Sequence, residues 1–266
     1  MFATSASPRV LGRYDEAALL AMFDQEGVLA AIGRRGFAEV ALEIDASRLP
    51  LTHVRLSGAK GSGRFLLLDA CLTEARLEAE ATTMHPGAVD LLVVYWLREQ
   101  DPTSVFAVPE LRLPLQDHPG LGVLRRAFRV ALRIARELGK HGIAAMPKYF
   151  HDAAIFYRSK LFLFLDPAEQ GRFEALLRDL APLSLCDASL AVSGSAVRDR
   201  EGTLLRWQPG YQVMPLASAL VERFHEPSYQ TSCREAFERS SFVVDQAALE
   251  AARRVYQQSI GGNPGC

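Results

Sequence analysis

Apolar residues recur at helical spacing through "YDEAALLAMFDQEGVLAAIG" (14–33), which predicts one or two short helices interrupted at Gly27. The period then changes. "FAEVALEID", "THVRLSG", "RFLLLDACLTEARLEAE" and "VDLLVVYWLRE" are rich in Val, Leu and Ile and partly alternate, so they predict four strands. "GAKGSGR", between the second and third, lacks the Lys-Ser/Thr pair of a phosphate loop and reads as a hairpin loop. "AVPELRLPL" (107–115) predicts a fifth extended segment whose pairing is limited by Pro109 and Pro114. Beyond it, Val123, Ala127, Val130, Ile134 and Leu138 lay an apolar stripe along a helix over 123–139, with Gly139 as its stop. "GIAAMPKY" predicts a short buried strand, "FHDAAIFYRSK" a short helix and "LFLFL" another strand. "DPAEQGRFEALLRDL" opens with Asp-Pro, a helix start. This alternation predicts an α/β fold with parallel or mixed layers. The last third is less regular, with a hairpin around "RDREG" and helices over "LASALVERFH" and "DQAALEAARRVYQQ".

Composition narrows the classes. A chain of 266 residues can bury a sizeable core, and its net charge of −1 gives no global electrostatic case for nucleic acid or an acidic membrane surface. The longest apolar runs, "DLLVVYWL" and "KLFLFL", are too short to span a bilayer. Cys71, Cys186, Cys233 and Cys266 share no C-x-x-C spacing, which fits a reducing compartment and a cytoplasmic location. The six histidines are dispersed without H-E-x-x-H, so no metal is expected, and no G-x-S-x-G marks a nucleophilic serine.

The candidate chemistry lies in "QDHPGLGVLRR" (116–126), where extended chain turns into the long helix. Gly120 and Gly122 can take positive φ and allow close approach to the backbone, and the helix start offers unpaired N–H groups with partial positive charge. No acidic side chain follows in the first turn, and no Asp, Ser or Thr stands as N-cap, so these N–H groups are free to hold an anion. Arg125, Arg129, Arg133 and Arg136 form a basic stripe that reads as a solvated face, with Arg125 or Arg126 near enough to the turn to assist.

The run from "LRLPLQDHPGLG" to "YRSKLFLFLDP", about residues 107–166, resembles the central part of the GNAT superfamily of acyl-CoA-dependent N-acyltransferases. In that family a strand enters a Gln/Arg-x-x-Gly-x-Gly/Ala turn that binds the pyrophosphate of coenzyme A, and a helix, a strand and a short helix with a tyrosine follow. Gly120-x-Gly122 matches the turn, while Ala153 or Ala154 with Tyr157 matches the short helix. The pattern departs at Asp117, which stands at the Gln/Arg position, at His151-Asp152 and at Leu161 in place of glycine.

The resemblance implies a mixed, mostly antiparallel sheet with flanking helices. It places a helical segment at 1–34, a GNAT-like core at 35–180 and a C-terminal extension at 181–266. It implies acyl transfer from acetyl-CoA or another acyl-CoA to a small-molecule or peptide amine, with neither nucleic acid nor membrane as partner. Coenzyme contacts would come from Leu115, Gln116, Gly120, Leu121, Gly122, Val123 and Arg125, with Leu115 or Gln116 offering an N–H to the oxyanion. Tyr157 would protonate the leaving thiolate, and Glu110, ahead of His118 and His151, would serve as general base. The alternatives are an inactive GNAT-like protein that binds a ligand or partner, and an unrelated α/β scaffold whose glycine turn is structural.

Overall fold

The computed structural model describes residues 8–77, 88–108 and 112–261. The N-terminal periodic stretch forms two helices, α1 (Glu16–Gln25) and α2 (Val28–Arg34). Asp15 caps α1 by accepting from the Ala18 N–H at 3.0 Å, and Gly27, at φ +72°, makes the turn between them. The four expected strands form an antiparallel meander: β1 (Ala38–Arg48), β2 (Leu51–Lys60), β3 (Gly63–Leu77) and β4 (Val89–Glu99). "GAKGSGR" is the hairpin loop between β2 and β3, where Lys60 pairs with Gly63.

The long helix, α3 (Leu124–Glu137), then carries the chain to β5 (Gly142–Ala145), which joins β4 in parallel. A parallel neighbour requires such a crossover. The result is the mixed, mostly antiparallel sheet with flanking helices that the resemblance implies. Leu19 and Phe23 of α1 and Ala127, Val130, Ala131 and Ile134 of α3 line an apolar seam against Val54, Leu68, Ala70, Leu72 and Val94 of the sheet.

Two compact units account for the chain. The first comprises Met1–Glu78, Gly87–Phe106 and Asp117–Ala145, and the second Ala79–Pro86, Ala107–Gln116 and Met146–Cys266. The second unit contains α4 (Phe150–Arg158), β6 (Leu163–Phe164), α5 (Pro167–Asp179), α6 (Leu185–Ser193), β7 (Val197–Asp199), β8 (Gln212–Pro215), α7 (Ser218–His225), α8 (Pro227–Arg239), β9 (Phe242–Val244) and α9 (Gln246–Gly261). β6 pairs with β8 and β7 with β9, both antiparallel. Its core gathers Phe150, Phe164, Phe173, Leu190, Val197 and Leu249.

The structure corrects two elements. The expected strand over 107–115 is absent among its described residues: Leu113 to Gln116 make a turn closed by a 3.1 Å bond from the Gln116 N–H to the Leu113 carbonyl. Leu115 sits there at φ +65°, and Pro109 to Leu111 lie outside the described residues. The start of the predicted hairpin, "SLAVS", is helical as the end of α6, because Leu190, Ala191 and Val192 are all buried in the core of this unit.

Helices α5 and α8 approach so closely at Gly171 that an added Cβ would land on the Cys233 carbonyl and 2.8 Å from the Phe237 nitrogen. Both obstacles are helix backbone and cannot rotate away. Gly171→Ala is therefore expected to lower the unfolding free energy by about 1–3 kcal/mol, read as a shift in the urea midpoint.

Candidate functional site

The glycine turn and the start of α3 lie in the first unit, and the helix is not uncapped as the sequence suggests. Glu99, the last residue of β4, reaches across to accept from the Gly122 N–H at 3.2 Å and the Val123 N–H at 2.8 Å. The anion expected at this helix start is thus an internal carboxylate. A second tie, from the Asp101 N–H to the Pro119 carbonyl at 2.7 Å, fixes the turn to the end of the strand.

The two glycines have separate tasks. Gly122 holds φ +75°. At Gly120 a Cβ would stand 2.7 Å from Glu99 Oε1, so the side chain of any other residue would collide with the capping carboxylate. Leu121 and Val123 are buried and anchor the turn.

Two arginines lie at the turn. Arg125 is exposed on the first turn of α3, and the Arg35 guanidinium stands 4.0 Å from where a Cβ on Gly122 would lie. Further along α3, Arg129 pairs with Glu26 at 2.6 Å and Arg133 with Glu137 at 2.8 Å. The basic stripe is therefore partly consumed by ion pairs within the unit. Glu99 and Arg35 escape sequence reading because the cap spans 23 residues and no local pattern announces it.

Beyond the turn, β4 has an irregular edge. β5 pairs with it only over Leu91–Val94, whereas β4 continues through Tyr95 to Glu99. Among the described residues no strand takes β5's place beside those last residues. Opposite β3, the register shifts between Cys71 and Leu72, which pair with Trp96 and Val94, leaving Tyr95 as the extra residue of a β-bulge.

The remaining sequence candidates fall elsewhere. Leu115 and Gln116 belong to the turn of the second unit, where the Gln116 N–H is already bonded. The residues that tie the glycine turn to a strand are those at and just past the end of β4, Glu99 and Asp101. Tyr157, also in the second unit, donates its hydroxyl to Glu174 Oε1 at 2.7 Å. Burial, together with that carboxylate, raises its pKa above the ordinary tyrosine range. Gln170 donates to the same oxygen at 2.7 Å. Glu110 lies outside the described residues.

His151 is a core residue whose Nδ1 lies 2.7 Å from the Ser189 hydroxyl, with Nε2 3.5 Å from Asp152. Burial pushes its pKa down, against the opposing pull of Asp152. Among the described residues no group of three His, Cys, Asp or Glu could hold a metal, and no helix is long and apolar enough to cross a membrane.

No family model and no curated protein matches the sequence. Similar solved structures include the KacTA–DNA complex, at 14% identity and TM-score 0.28, covering 61% of this chain and 81% of that one. AtaT complexed with acetyl-methionyl-tRNAfMet is another, at 16% identity and TM-score 0.29, covering 58% and 80%. Both have the GNAT fold, and this distant likeness does not extend to activity. The exclusion of nucleic acid as a partner is corrected, since both structures are nucleic-acid complexes. Net charge was the wrong quantity for that exclusion, because a whole-chain sum of −1 says nothing about a local cationic face.

Two outcomes follow from these contacts. Removing the cap by Glu99→Ala should cost roughly 0.5–2 kcal/mol of stability in a denaturant melt. Because His151 is held neutral in the fold while an unfolded histidine takes up a proton near its ordinary 6.5, its contribution is retained above that pH and lost below it. The stability of the wild type relative to His151→Gln should accordingly decline as pH falls through about 6.5, measured by urea titrations at several pH values.

Proposed function

We propose that the protein transfers an acyl group from a thioester of the coenzyme A type to an amine. The observation that carries this reading is the end of β4, where the strand outruns β5 after Val94 and leads toward the N-terminus of α3. An amide-bearing pantetheine arm can lie along such an edge as an added strand. A bulge also releases a backbone N–H from the ladder, and Tyr95 could offer one to the developing oxyanion.

The diphosphate would take the Gly122 and Val123 N–H groups, in a turn made by Gly120 and Leu121, with Arg125 and Arg35 flanking it. It must first displace the Glu99 carboxylate. That is an exchange of one anion for another of higher charge at the same donors, favoured by the two arginines. The acceptor would be a small-molecule, peptide or aminoacyl-tRNA amine, reacting in its neutral form. Cys71, Cys186 and Cys233 are buried free thiols, in keeping with a reducing compartment such as the cytoplasm.

A second reading has its own observation. Glu99 already satisfies both N–H groups, as expected if the turn is closed for good and the protein binds a partner without chemistry. The two readings part in a calorimetric titration with acetyl-CoA and longer acyl-CoAs. Saturable binding that tightens by about tenfold or more in Glu99→Ala supports an exchangeable cradle. No saturable binding to either protein overturns the acyltransferase reading. Amine-dependent release of free thiol from the bound acyl-CoA separates an enzyme from a binder.

A further inference from the structure

On the sheet face of the first unit turned away from α1 and α3, strand pairing aligns Asp45, His53, Cys71 and Trp96 across β1 to β4. The next row holds Glu43, Arg55, Asp69 and Arg98. Asp69 is only 7% exposed, yet its Oδ1 has no hydrogen-bond partner. Its nearest polar neighbours are Arg55 Nε at 3.7 Å and His53 Nδ1 at 4.0 Å, both beyond hydrogen-bond reach.

His53 Nδ1 is equally buried and unpartnered, whereas Nε2 is not among the buried orphan atoms and shares the side chain's remaining 15% exposure. The imidazole meets the Trp96 ring edge-on at 5.5 Å. Trp96 is 52% exposed and lies on the part of β4 that β5 does not cover.

A buried carboxylate facing one imidazole nitrogen while the other meets solvent is the layout of a general base with its orienting partner. The carboxylate selects the tautomer that carries the proton on Nδ1, leaving Nε2 as acceptor, and stabilises the imidazolium once Nε2 is protonated. Such contacts are often long before substrate binds and tighten in the complex. Arg55 stands among Glu43, Asp45 and Asp69 and places a cation beside the Asp69 carboxylate.

We propose that His53 is the catalytic base that deprotonates the acceptor amine, with Asp69 as its positioning residue. This inference rests on the acyl-transfer reading above. The neutral amine attacks the thioester carbonyl, a C–N bond forms and the C–S bond breaks. The proton lost from nitrogen passes to His53 Nε2 and on to solvent. The departing thiolate takes a proton from water, so that an amide and a free thiol result. Glu43, Asp45, Arg55, Asp69 and Arg98 are the charged groups in these two rows of the face, and Cys71 is the titratable thiol beside the imidazole.

The test measures thiol release from an acyl-CoA with an amine panel across pH, for wild type, His53→Gln and Asp69→Asn. His53→Gln should lose about 10²–10⁴-fold in kcat with little change in KM for the acyl-CoA, and should lose the acidic limb of the pH profile. Asp69→Asn should lower kcat with little change in KM for the acyl-CoA, because the imidazole loses the group that orients it. Nitrogen NMR of the His53 ring, assigned by its absence in His53→Gln, should show the proton on Nδ1 in the wild type and a mixture of tautomers in Asp69→Asn, without any turnover. Circular dichroism and melting curves check that both variants fold. Wild-type turnover with an unchanged profile in His53→Gln overturns the base and leaves acyl transfer standing. A His53 tautomer unchanged by Asp69→Asn overturns the pairing. Absence of wild-type turnover across the panel overturns the acyl-transfer reading and the base with it.

Discussion

The carboxylate of Glu99 joins the end of β4 to the first N–H groups of α3, and much of the first unit is arranged around that junction. Both hydrogen bonds are charge-assisted, and they act where helix N–H groups carry their greatest partial charge. Together with the bond from Asp101 to Pro119, they pin both ends of the connection between Glu99 and α3. The long excursion that follows β4 is thereby returned to the strand it left. Gly120 and Gly122 follow from this junction, one by making room for the carboxylate and the other by adopting the backbone that aims the N–H groups at it.

Chemistry is distributed unevenly between the two units. In the second, the polar groups that look reactive in sequence are engaged with one another: Tyr157 and Gln170 with Glu174, and His151 with Ser189. Cys233 also faces Glu174, and burial, with that carboxylate, raises its thiol pKa to about 12. A phenol, a thiol and an imidazole held in this way contribute to packing and specificity of the core more than to reactivity. In the first unit the balance is reversed. His53 Nδ1 on β2 and Asp69 Oδ1 on β3 are buried without hydrogen-bond partners, and Arg125 is exposed beside the turn.

The elements of the first unit were legible because each is locally consistent. The helix stripe from Val123 to Leu138 and the branched apolar runs of the four strands agree with the burial they acquire. Legibility fails where long-range contacts decide. "AVPELRLPL" has the composition of a strand, but its prolines remove ladder donors, and Leu113 to Gln116 settle into a local turn. Helix α8 escaped because its buried residues, Tyr229, Cys233 and Ala236, are few and of mixed character among polar neighbours. The close backbone approach at Gly171 and the bond from the Tyr229 hydroxyl to the Phe164 carbonyl show why that face is buried. The site divides in the same way: the turn and its glycines were readable, and the carboxylate that fills it was not.

β4 carries three features whose order along the strand is chemically coherent. Val94 is the last residue with a β5 partner, Tyr95 and Trp96 follow at the bulge, and Glu99 ends the strand at the helix cap. The bulge turns Trp96 to the face shared with His53, whereas an uninterrupted register would have sent it to the apolar seam beneath α3. A ligand that followed this edge would meet the bulge first and the helix N-terminus last, with an imidazole to one side. Nothing in that sequence of contacts requires Tyr157 or the 107–115 segment. It does require Glu99 to leave, so occupancy of the helix N-terminus by phosphate and release of the capping carboxylate are one event, and the energy of the cap sets how readily the cradle opens.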